Sequence, residues 1–196
     1  MAFLSESQLR QIGFKSLAEN VLIADKVSIY NAENISLGSY VRVDDFCILS
    51  AGERGIEIGS FVHLAAYTSL MGAERIILED FVGLSSKVSL FSSSDDYMGY
   101  SLTNPMVPSQ YKRVKSLPVT LKKHALVGAH SVLLPGASLE EGVSIGAMSV
   151  VSSKLDAWHV YMGNPAKKIV RRSKKLLQSE QSLKQDFPNV SFIGND

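Results

Sequence analysis

Cysteine is almost absent from this chain of 196 residues, which also lacks long apolar runs and an excess of either charge. A single cysteine, Cys47, rules out an intrachain disulfide and favours a reducing compartment. No apolar run approaches the roughly 18 residues of a membrane-spanning helix. Lys and Arg number 20 and Asp and Glu 19, so the charge gives no reason to expect nucleic acid or an anionic membrane as the main partner. The first ten residues lack the basic-then-apolar order of a signal peptide. We therefore expect a cytoplasmic protein.

What the chain does contain is a repeat of aliphatic residues, mostly with a period of six. Pairs of residues at positions i and i+2, of which the second is always Leu, Ile or Val, recur along the chain and stop between Leu90 and Val119. Sixteen such pairs exceed what a chain of ordinary apolar content gives by chance. The pairs are Val27/Ile29, Ile35/Leu37, Val41/Val43, Cys47/Leu49, Ile56/Ile58, Val62/Leu64, Thr68/Leu70, Ile76/Leu78, Val82/Leu84, Val88/Leu90, Val119/Leu121, Ala125/Val127, Ser131/Leu133, Ala137/Leu139, Val143/Ile145 and Ser149/Val151.

A period of six fits no helix, but it fits short strands that are separated by tight turns. Three hexads make one triangular coil of a parallel β-helix, with coils stacked about 4.8 Å apart. The residue at i+2 then fills the interior, and the Gly, Asp or Glu that often follows it marks the turn, as at Gly38. Cys47 takes an inward position, so we expect it to be buried and inert.

Both ends of the chain are typical of helices. Ser5 as N-cap, Gln8 three residues later and Gly13 as a stop predict a short N-terminal helix. A stretch rich in Lys, Arg, Leu, Gln and Glu predicts a second helix that begins near Pro165 and runs to about Ser182. The predicted division is an N-terminal helical cap over 1–18, a β-helix over 19–160 with an extended loop at about 91–117, and a C-terminal helix and tail over 161–196.

The interruption at about 91–117 contains "SSSDDY", and we take its two aspartates as candidate site residues. A segment this long without regular structure inside a compact domain is usually functional. A solvated excursion is the alternative for the loop. Asp95 and Asp96 could equally be turn formers, because Ser-Asp-Asp is ordinary loop composition.

The hexads, together with "ALVGAHSVLLPGASL", "VSIGAMSVV" and "GNPAKKI", resemble the left-handed β-helix hexapeptide acyltransferases over roughly residues 20–172. The resemblance implies an all-β, left-handed parallel β-helix and a homotrimer that binds acetyl-coenzyme A in a groove between neighbouring prisms. "VDDFCILSAGE", "SSSDDY" and "TNPMVPSQ" are similar to the branch that acetylates the amino group of nucleotide-linked amino-deoxysugars, of the dTDP-4-amino-4,6-dideoxyglucose type. This branch implies a sugar N-acetyltransferase of surface polysaccharide biosynthesis, such as that of lipopolysaccharide, which uses no metal.

The resemblance also bears on the acceptor side of the site. In the galactoside and maltose O-acetyltransferases the start of this loop carries the catalytic histidine, whereas Asp95, followed by Asp96, takes that place here. An unperturbed Asp, with a pKa of about 3.9, is a poor base for a hydroxyl, but a neutral amine attacks a thioester unaided. The aspartate pair therefore favours N-acetylation over O-acetylation. His63, in "GSFVHLAAY", should point outward and could face the groove, with a solvated surface histidine as the alternative.

On the donor side, the resemblance implies three kinds of contact with coenzyme A. A corner backbone N–H serves the thioester oxygen in the oxyanion role, a second corner serves the pantetheine arm, and cations lie near the adenosine end. For the cations the alternative is a solvated basic helix face. The residues implied are Gly128 and Ala129, then Ala147, then Lys167, Lys168 and Arg171.

Two other functions remain open at this point. One is an O-acetyltransferase of a sugar hydroxyl with His63 or His124 as general base. The other is a non-catalytic β-helix that serves as an assembly or binding module. His124 and His130 are one hexad apart and so lie on different faces, which argues against the zinc site of the hexapeptide carbonic anhydrases.

Overall fold

The computed structural model describes residues 2–192, and these form a prism of three β-sheets. Each turn of the chain adds one short strand to each sheet, and strands of neighbouring coils pair in parallel. The first sheet contains β1 (Ser16–Leu17), β4 (Ile35–Leu37), β7 (Ile56–Ile58), β10 (Ile76–Leu78), β15 (Val119–Leu121), β18 (Ser138–Leu139) and β21 (Lys154–Leu155). The second contains β2 (Leu22–Ile23), β5 (Arg42–Val43), β8 (His63–Leu64), β11 (Gly83–Leu84), β16 (Leu126–Val127), β19 (Ser144–Ile145), β22 (His159–Met162) and β23 (Lys167–Arg171). The third contains β3 (Ser28–Tyr30), β6 (Ile48–Ala51), β9 (Ser69–Gly72), β12 (Ser89–Phe91), β17 (Val132–Leu133) and β20 (Val150–Val151).

The interior of the prism is filled by the residues that the period of six places at i+2. Leu37, Ile58 and Leu78 lie in register on consecutive coils, and each is at most 2% exposed. Val27 and Ile29 are only partly buried, because β3 is the edge strand of the third sheet. The predicted fold class, an all-β parallel β-helix with a short helix near each end, is confirmed.

The turns between the first and second sheets adopt the left-handed backbone conformation at residues other than glycine. Tyr40, Phe61 and Phe81 have φ angles of 58°, 58° and 61°, a region that such residues seldom occupy. The predicted turn after i+2 is present at Gly38, but its left-handed residue is Tyr40, and Gly38 itself has no positive φ. A Cβ on Gly38 would lie 2.6 Å from the backbone carbon of Gly59, so this glycine is required for the close approach of adjacent coils.

The N-terminal helix is the one that the sequence predicts. Helix α1 spans Glu6–Ile12, Ser5 and Gln8 form a capping box, and Gly13 ends the helix at φ 80°. Strand β1 follows at once, so the first coil already begins at Ser16.

The C-terminal helix begins later than predicted. Residues Lys167–Arg171 form β23, which pairs antiparallel with β22, and helix α2 spans Leu176–Asp186. The predicted start near Pro165 is therefore wrong. The reason is that β22 offers an edge for pairing, and Ile169 and Val170 are β-branched residues that fit a strand better than a helix. Neither helix in the described part of the chain is long and apolar enough to cross a bilayer.

The long loop leaves the prism after Phe91 and rejoins it at Val119. Its base is a short antiparallel ribbon of β13 (Ser93–Ser94) and β14 (Lys115–Ser116), and a 3-10 turn occupies Ser109–Tyr111. The tip carries large exposed side chains, with Tyr97 91% and Met106 90% exposed. The loop thus presents apolar groups that nothing in residues 2–192 covers.

Candidate active site

The turns between the second and third sheets stack into two columns of small residues, which we call the small-residue strip. Strand registers place these residues one above another on successive coils. On the side of the third sheet the strip is flanked by larger corner residues, among them Tyr67, Lys87 and His130. Small side chains allow an extended ligand to approach the backbone closely. The columns are Ala65, Ser85, Gly128 and Gly146, and then Ala66, Ser86, Ala129 and Ala147.

Three of the predicted coenzyme A residues lie in the upper half of this strip. The backbone N–H of Gly128 donates to the carbonyl of Ile145 at 2.8 Å, so it is not available to a thioester oxygen. The backbone N–H groups of Ala129 and Ala147 form no hydrogen bond within residues 2–192. The predicted oxyanion role therefore narrows to Ala129. Gly128 has a different role, since a Cβ there would lie 2.5 Å from the backbone nitrogen of Ala147.

The three predicted cations lie on β23 and not on a helix. Lys167, Lys168 and Arg171 are all exposed. Lys168 pairs with Asp156 at 2.6 Å, and this hydrogen bond raises the pKa of Lys168. Neither Lys167 nor Arg171 has an ion-pair partner among the described residues. These two side chains are available for the phosphates of a cofactor.

His63 projects outward from β8, as predicted, and its side chain is 49% exposed. In the parallel pairing of the second sheet, His63 is aligned with Arg42 on the coil below and with Gly83 on the coil above. The Nε2 atom of His63 lies 2.9 Å from Oδ2 of Asp44. The Nε of Arg42 donates to the other carboxylate oxygen of Asp44 at 2.7 Å. The histidine is thus held in place by a carboxylate that is itself held by an arginine.

Asp44 is ionised in this arrangement. Burial raises the pKa of its carboxyl group, but the hydrogen bonds from Arg42 and His63 and the positive charge of Arg42 outweigh burial and lower the pKa below its usual value. The residue is only 8% exposed. An ionised carboxylate can only accept hydrogen bonds, so both neighbours act as donors to it.

Asp95 and Asp96 lie at the base of the loop, and their contacts differ. The carboxylate of Asp95 accepts one hydrogen bond, from the backbone N–H of Asn104 at 3.2 Å. Both carboxylate oxygens of Asp96 accept hydrogen bonds within a local turn. One bond comes from the N–H of Met98 at 2.9 Å and the other from the hydroxyl of Ser101 at 3.2 Å. Desolvation raises the pKa of Asp96, but these hydrogen bonds together lower it. The turn-former interpretation therefore fits Asp96 better than Asp95.

Within one chain the loop and the small-residue strip lie at different corners of the prism. The strip lies before the third-sheet strands, whereas the loop leaves the third sheet after Phe91, at its other edge. Through residues 2–192, no hydrogen bond or ion pair joins His63 to Asp95 or Asp96. A pocket of about 430 Å³ lies beside the aspartates, with Tyr97 and Arg113 in its lining.

The other histidines have structural contacts or lie outside any cluster. His124 is 7% exposed, lies 2.7 Å from Glu180 and stacks on Phe81, and these packing contacts do not favour the alternative with His124 as general base. His159 contacts the carbonyl of Ala157 through Nδ1 at 2.8 Å. Across the described ranges, no group of three His, Cys, Asp or Glu residues could hold a metal ion.

Two features of this region were not predicted from the sequence. Asp44 follows the i+2 residue Val43 and was therefore predicted only as a turn residue, although every higher coil has a small residue at the equivalent place of the strip. This contrast between an aspartate and small residues could have identified Asp44 from the sequence. Ser85 was not predicted as a site residue either. It lies in the strip one coil above Ala65, and its hydroxyl makes no hydrogen bond within residues 2–192.

A scan against protein-family models finds no match. The chain is 47% identical over 184 residues to an Escherichia coli protein named dTDP-4-amino-4,6-dideoxy-D-glucose acyltransferase, covering 94% of this chain and 96% of that protein. It is 45% identical to AntD, an N-acyltransferase from Bacillus cereus, with a TM-score of 0.91. One AntD structure contains dTDP and 3-hydroxybutyryl-CoA and covers 95% of this chain and 98% of that chain. A second, of a serine-to-alanine variant, contains dTDP-4-amino-4,6-dideoxyglucose and coenzyme A and covers 94% and 98%.

A more distant structure shares the fold, and AntD variants are also known. A maltose O-acetyltransferase from Clostridium difficile 630 is 20% identical, with a TM-score of 0.53 and coverage of 86% of this chain and 75% of that chain, and this likeness shows the fold alone. AntD has also been crystallised with single substitutions at one serine and at one aspartate ten residues further along its chain.

Proposed function

The chain belongs to the family of the dTDP-4-amino-4,6-dideoxyglucose acyltransferases, and we propose that it transfers an acyl group from an acyl-coenzyme A to the 4-amino group of dTDP-4-amino-4,6-dideoxyglucose. The observation that carries this proposal is the extent of the similarity. An identity of 47% covers nearly the whole of both chains, and so includes both the strip and the long loop.

The donor is proposed to lie along the small-residue strip. Gly128 allows adjacent coils to come close, and the N–H of Ala129 is directed to no acceptor within residues 2–192. A donor of this kind stabilises the oxyanion that forms when a thioester carbonyl is attacked. Ala147 serves the pantetheine arm, and Lys167, Lys168 and Arg171 lie toward the phosphates. We infer an acetyl group as the acyl group transferred.

The acceptor amine is proposed to contact Asp95 and Ser85. In AntD the substituted serine and aspartate are ten residues apart, and this spacing fits both Ser85 with Asp95 and Ser86 with Asp96. The first pair is favoured because both carboxylate oxygens of Asp96 already accept hydrogen bonds. Asp95 retains an oxygen that can hold the amine.

A homotrimer would bring these groups together. Within one chain the loop and the strip are on different corners, and the exposed loop tip, with Tyr97 and Met106, needs an apolar partner. We infer that the loop of one subunit reaches the strip of a neighbouring subunit. Each site would then contain Asp95 from one subunit and Ser85, His63 and Ala129 from another.

The reaction follows from these roles. The neutral amine attacks the carbonyl carbon of the thioester, the N–H of Ala129 stabilises the oxyanion, and the C–S bond breaks. The leaving thiolate, from a thiol with a pKa near 8.5, takes up a proton from the nitrogen. Acyl-coenzyme A is a cytoplasmic metabolite, so we infer a cytoplasmic enzyme whose product serves surface polysaccharide synthesis.

Thiol release from acetyl-CoA tests the proposal with four acceptors: dTDP-4-amino-4,6-dideoxyglucose, its 3-amino isomer, a UDP-linked amino sugar and a plain galactoside. We expect turnover with the first and at least tenfold less with the others. Turnover with the galactoside alone would contradict the proposal. Repeating the assay with 3-hydroxybutyryl-CoA decides the acyl group, because the preferred donor has the higher kcat/KM.

A further inference from the structure

The Arg42–Asp44–His63 arrangement has a consequence for the histidine ring. The carboxylate of Asp44 can only accept hydrogen bonds, and it lies 2.9 Å from Nε2 of His63. The hydrogen of a neutral imidazole must therefore lie on Nε2. The other nitrogen, Nδ1, then carries a lone pair, and it forms no hydrogen bond within residues 2–192.

We propose that Asp44 is a positioning residue for the acyl transfer, which fixes His63 in the tautomer whose Nδ1 accepts a proton from the acceptor amine. This inference rests on the proposed function. The inference adds a proton acceptor to the proposed reaction. An acceptor is needed because an amino sugar reaches the enzyme mostly as the ammonium ion, and the nitrogen must lose a proton before it can attack.

The surroundings of His63 support a role beyond local packing. Asp44 is the carboxylate at a strip position where the coils above have Ala65, Ser85 and two glycines. Its own burial costs free energy, which the two hydrogen bonds offset. On the coil above, Gly83 contributes neither a side chain nor a charge, and the nearest group beside it is the end of the Leu126 side chain.

The charges that face His63 are those of Asp44 and Arg42 from the coil below. The proton balance is as follows. Nδ1 takes one proton from the ammonium nitrogen, whose lone pair then attacks the thioester carbon. The C–S bond breaks, the thiolate takes a second proton from the same nitrogen to give the thiol and the amide, and the imidazolium returns its proton to solvent.

A double-mutant cycle tests the proposal with Asp44→Asn, His63→Gln and the pair together, measured as kcat/KM for the amine. Asn keeps the shape of Asp but can present its NH2 group to Nε2 and so favour the other tautomer. We expect Asp44→Asn and His63→Gln each to lower kcat/KM by about tenfold or more, as outer-shell partners of functional histidines do. The double variant should be no worse than His63→Gln, because Asp44 acts through His63. Asp25→Asn, an exposed aspartate one coil lower, is the charge control and should leave kcat/KM within twofold of the parent.

The acid limb of the pH profile of kcat/KM is the readout that a merely structural role would not move, and nitrogen NMR reports the tautomer of His63. We expect the Nε2–H tautomer in the parent and its loss in Asp44→Asn, together with a shifted acid limb of the pH profile. Equal and additive losses in the cycle, or an Nδ1–H tautomer in the parent, would overturn the proposal. If Asp44→Asn does not fold, the tautomer in the parent protein and the kcat/KM of His63→Gln together decide. Full activity of His63→Gln on the amine would refute this inference while leaving the proposed function intact.

Discussion

Nε2 of His124 lies 2.7 Å from Oε2 of Glu180, and this contact ties the C-terminal helix to a corner of the prism. Lys123 and Lys184 pair with the same carboxylate. Burial raises the pKa of Glu180, but the hydrogen bonds from Lys123, Lys184 and His124 lower it to about 2. Burial also lowers the pKa of His124, against the opposing effect of Glu180. At neutral pH a neutral imidazole therefore donates to a carboxylate between two ammonium groups.

We predict that acid loosens this corner in two stages. The pKa of His124 is lower in the folded protein than its ordinary 6.5, so its contribution to stability is present above that pH and is lost as the pH falls. The contribution of Glu180 is present above 4.5 and is lost as the pH falls from 4.5 toward 2. The midpoint of thermal unfolding, measured from pH 8 to pH 3, should fall in both windows.

Glu180→Gln should cost roughly 3 kcal/mol at pH 7, because it leaves two lysines without their shared anion in a half-buried site. The same substitution should also remove the fall in the midpoint of thermal unfolding below pH 4.5. Glu6→Gln is the matched control, since Glu6 pairs with Arg10 while 76% exposed and should change stability by less than about 0.5 kcal/mol. Equal losses for the two variants would contradict this account.

The two loop aspartates should separate in kinetics. Asp95→Asn should lower kcat for the amine by about a hundredfold, the scale of a lost acid–base or amine-holding group. Asp96→Asn should instead act mainly on KM, since Asp96 holds the turn at Met98 and Ser101. Steady-state kinetics with saturating acetyl-CoA measures both. A larger loss of kcat in Asp96→Asn would reverse the assignment.

Gly128→Ala should destabilise the prism and weaken donor binding together. A Cβ at this position meets the backbone of Ala147 at 2.5 Å, which side-chain movement cannot relieve. We expect a loss of about 2 kcal/mol in the free energy of unfolding and weaker coenzyme A binding by calorimetry. Gly83→Ala is the matched control for stability, because its Cβ would meet only the end of the Leu126 side chain, at 3.0 Å. A similar loss in both variants would argue against backbone contact as the cause.

Cys47 should resist thiol reagents while the protein is folded. The residue is fully buried, and burial raises the pKa of its thiol to about 11, so little thiolate is present at neutral pH. Titration with a coloured disulfide should detect no thiol in the native protein and one in denaturant. Rapid labelling of the native protein would show that this part of the core opens readily.

The sequence predicted most where one physical demand acts on every coil. The interior of the prism must be aliphatic, so residues such as Leu37 and Leu78 repeat at a fixed period, and the capping box of Ser5 and Gln8 is likewise a local signal. The start of the C-terminal helix was predicted wrongly because the basic composition of this segment suits a helix and a strand equally. The free edge of β22, together with the β-branched Ile169 and Val170, decides that Lys167–Arg171 form a strand.

The candidate site was less predictable because it depends on contacts between coils. His63 could be placed outward from its position in the hexad, but its partner Asp44 is 19 residues away and meets it only through the stacking of the second sheet. The hydrogen bond that occupies the N–H of Gly128 comes from the same stacking. In the proposed function Asp95 meets the strip of a second subunit, and the pattern of one chain does not specify such a contact.

The most direct test of the account is the ratio of kcat/KM for two matched acceptors, dTDP-4-amino-4,6-dideoxyglucose and the same dTDP-sugar with a hydroxyl at C4. Product analysis by mass spectrometry and NMR would accompany the rates with acetyl-CoA as donor. We expect an amide at C4 and a ratio of at least a thousandfold in favour of the amine, on the order of 4 kcal/mol of transition-state stabilisation. Comparable rates, or an ester as the main product, would contradict it.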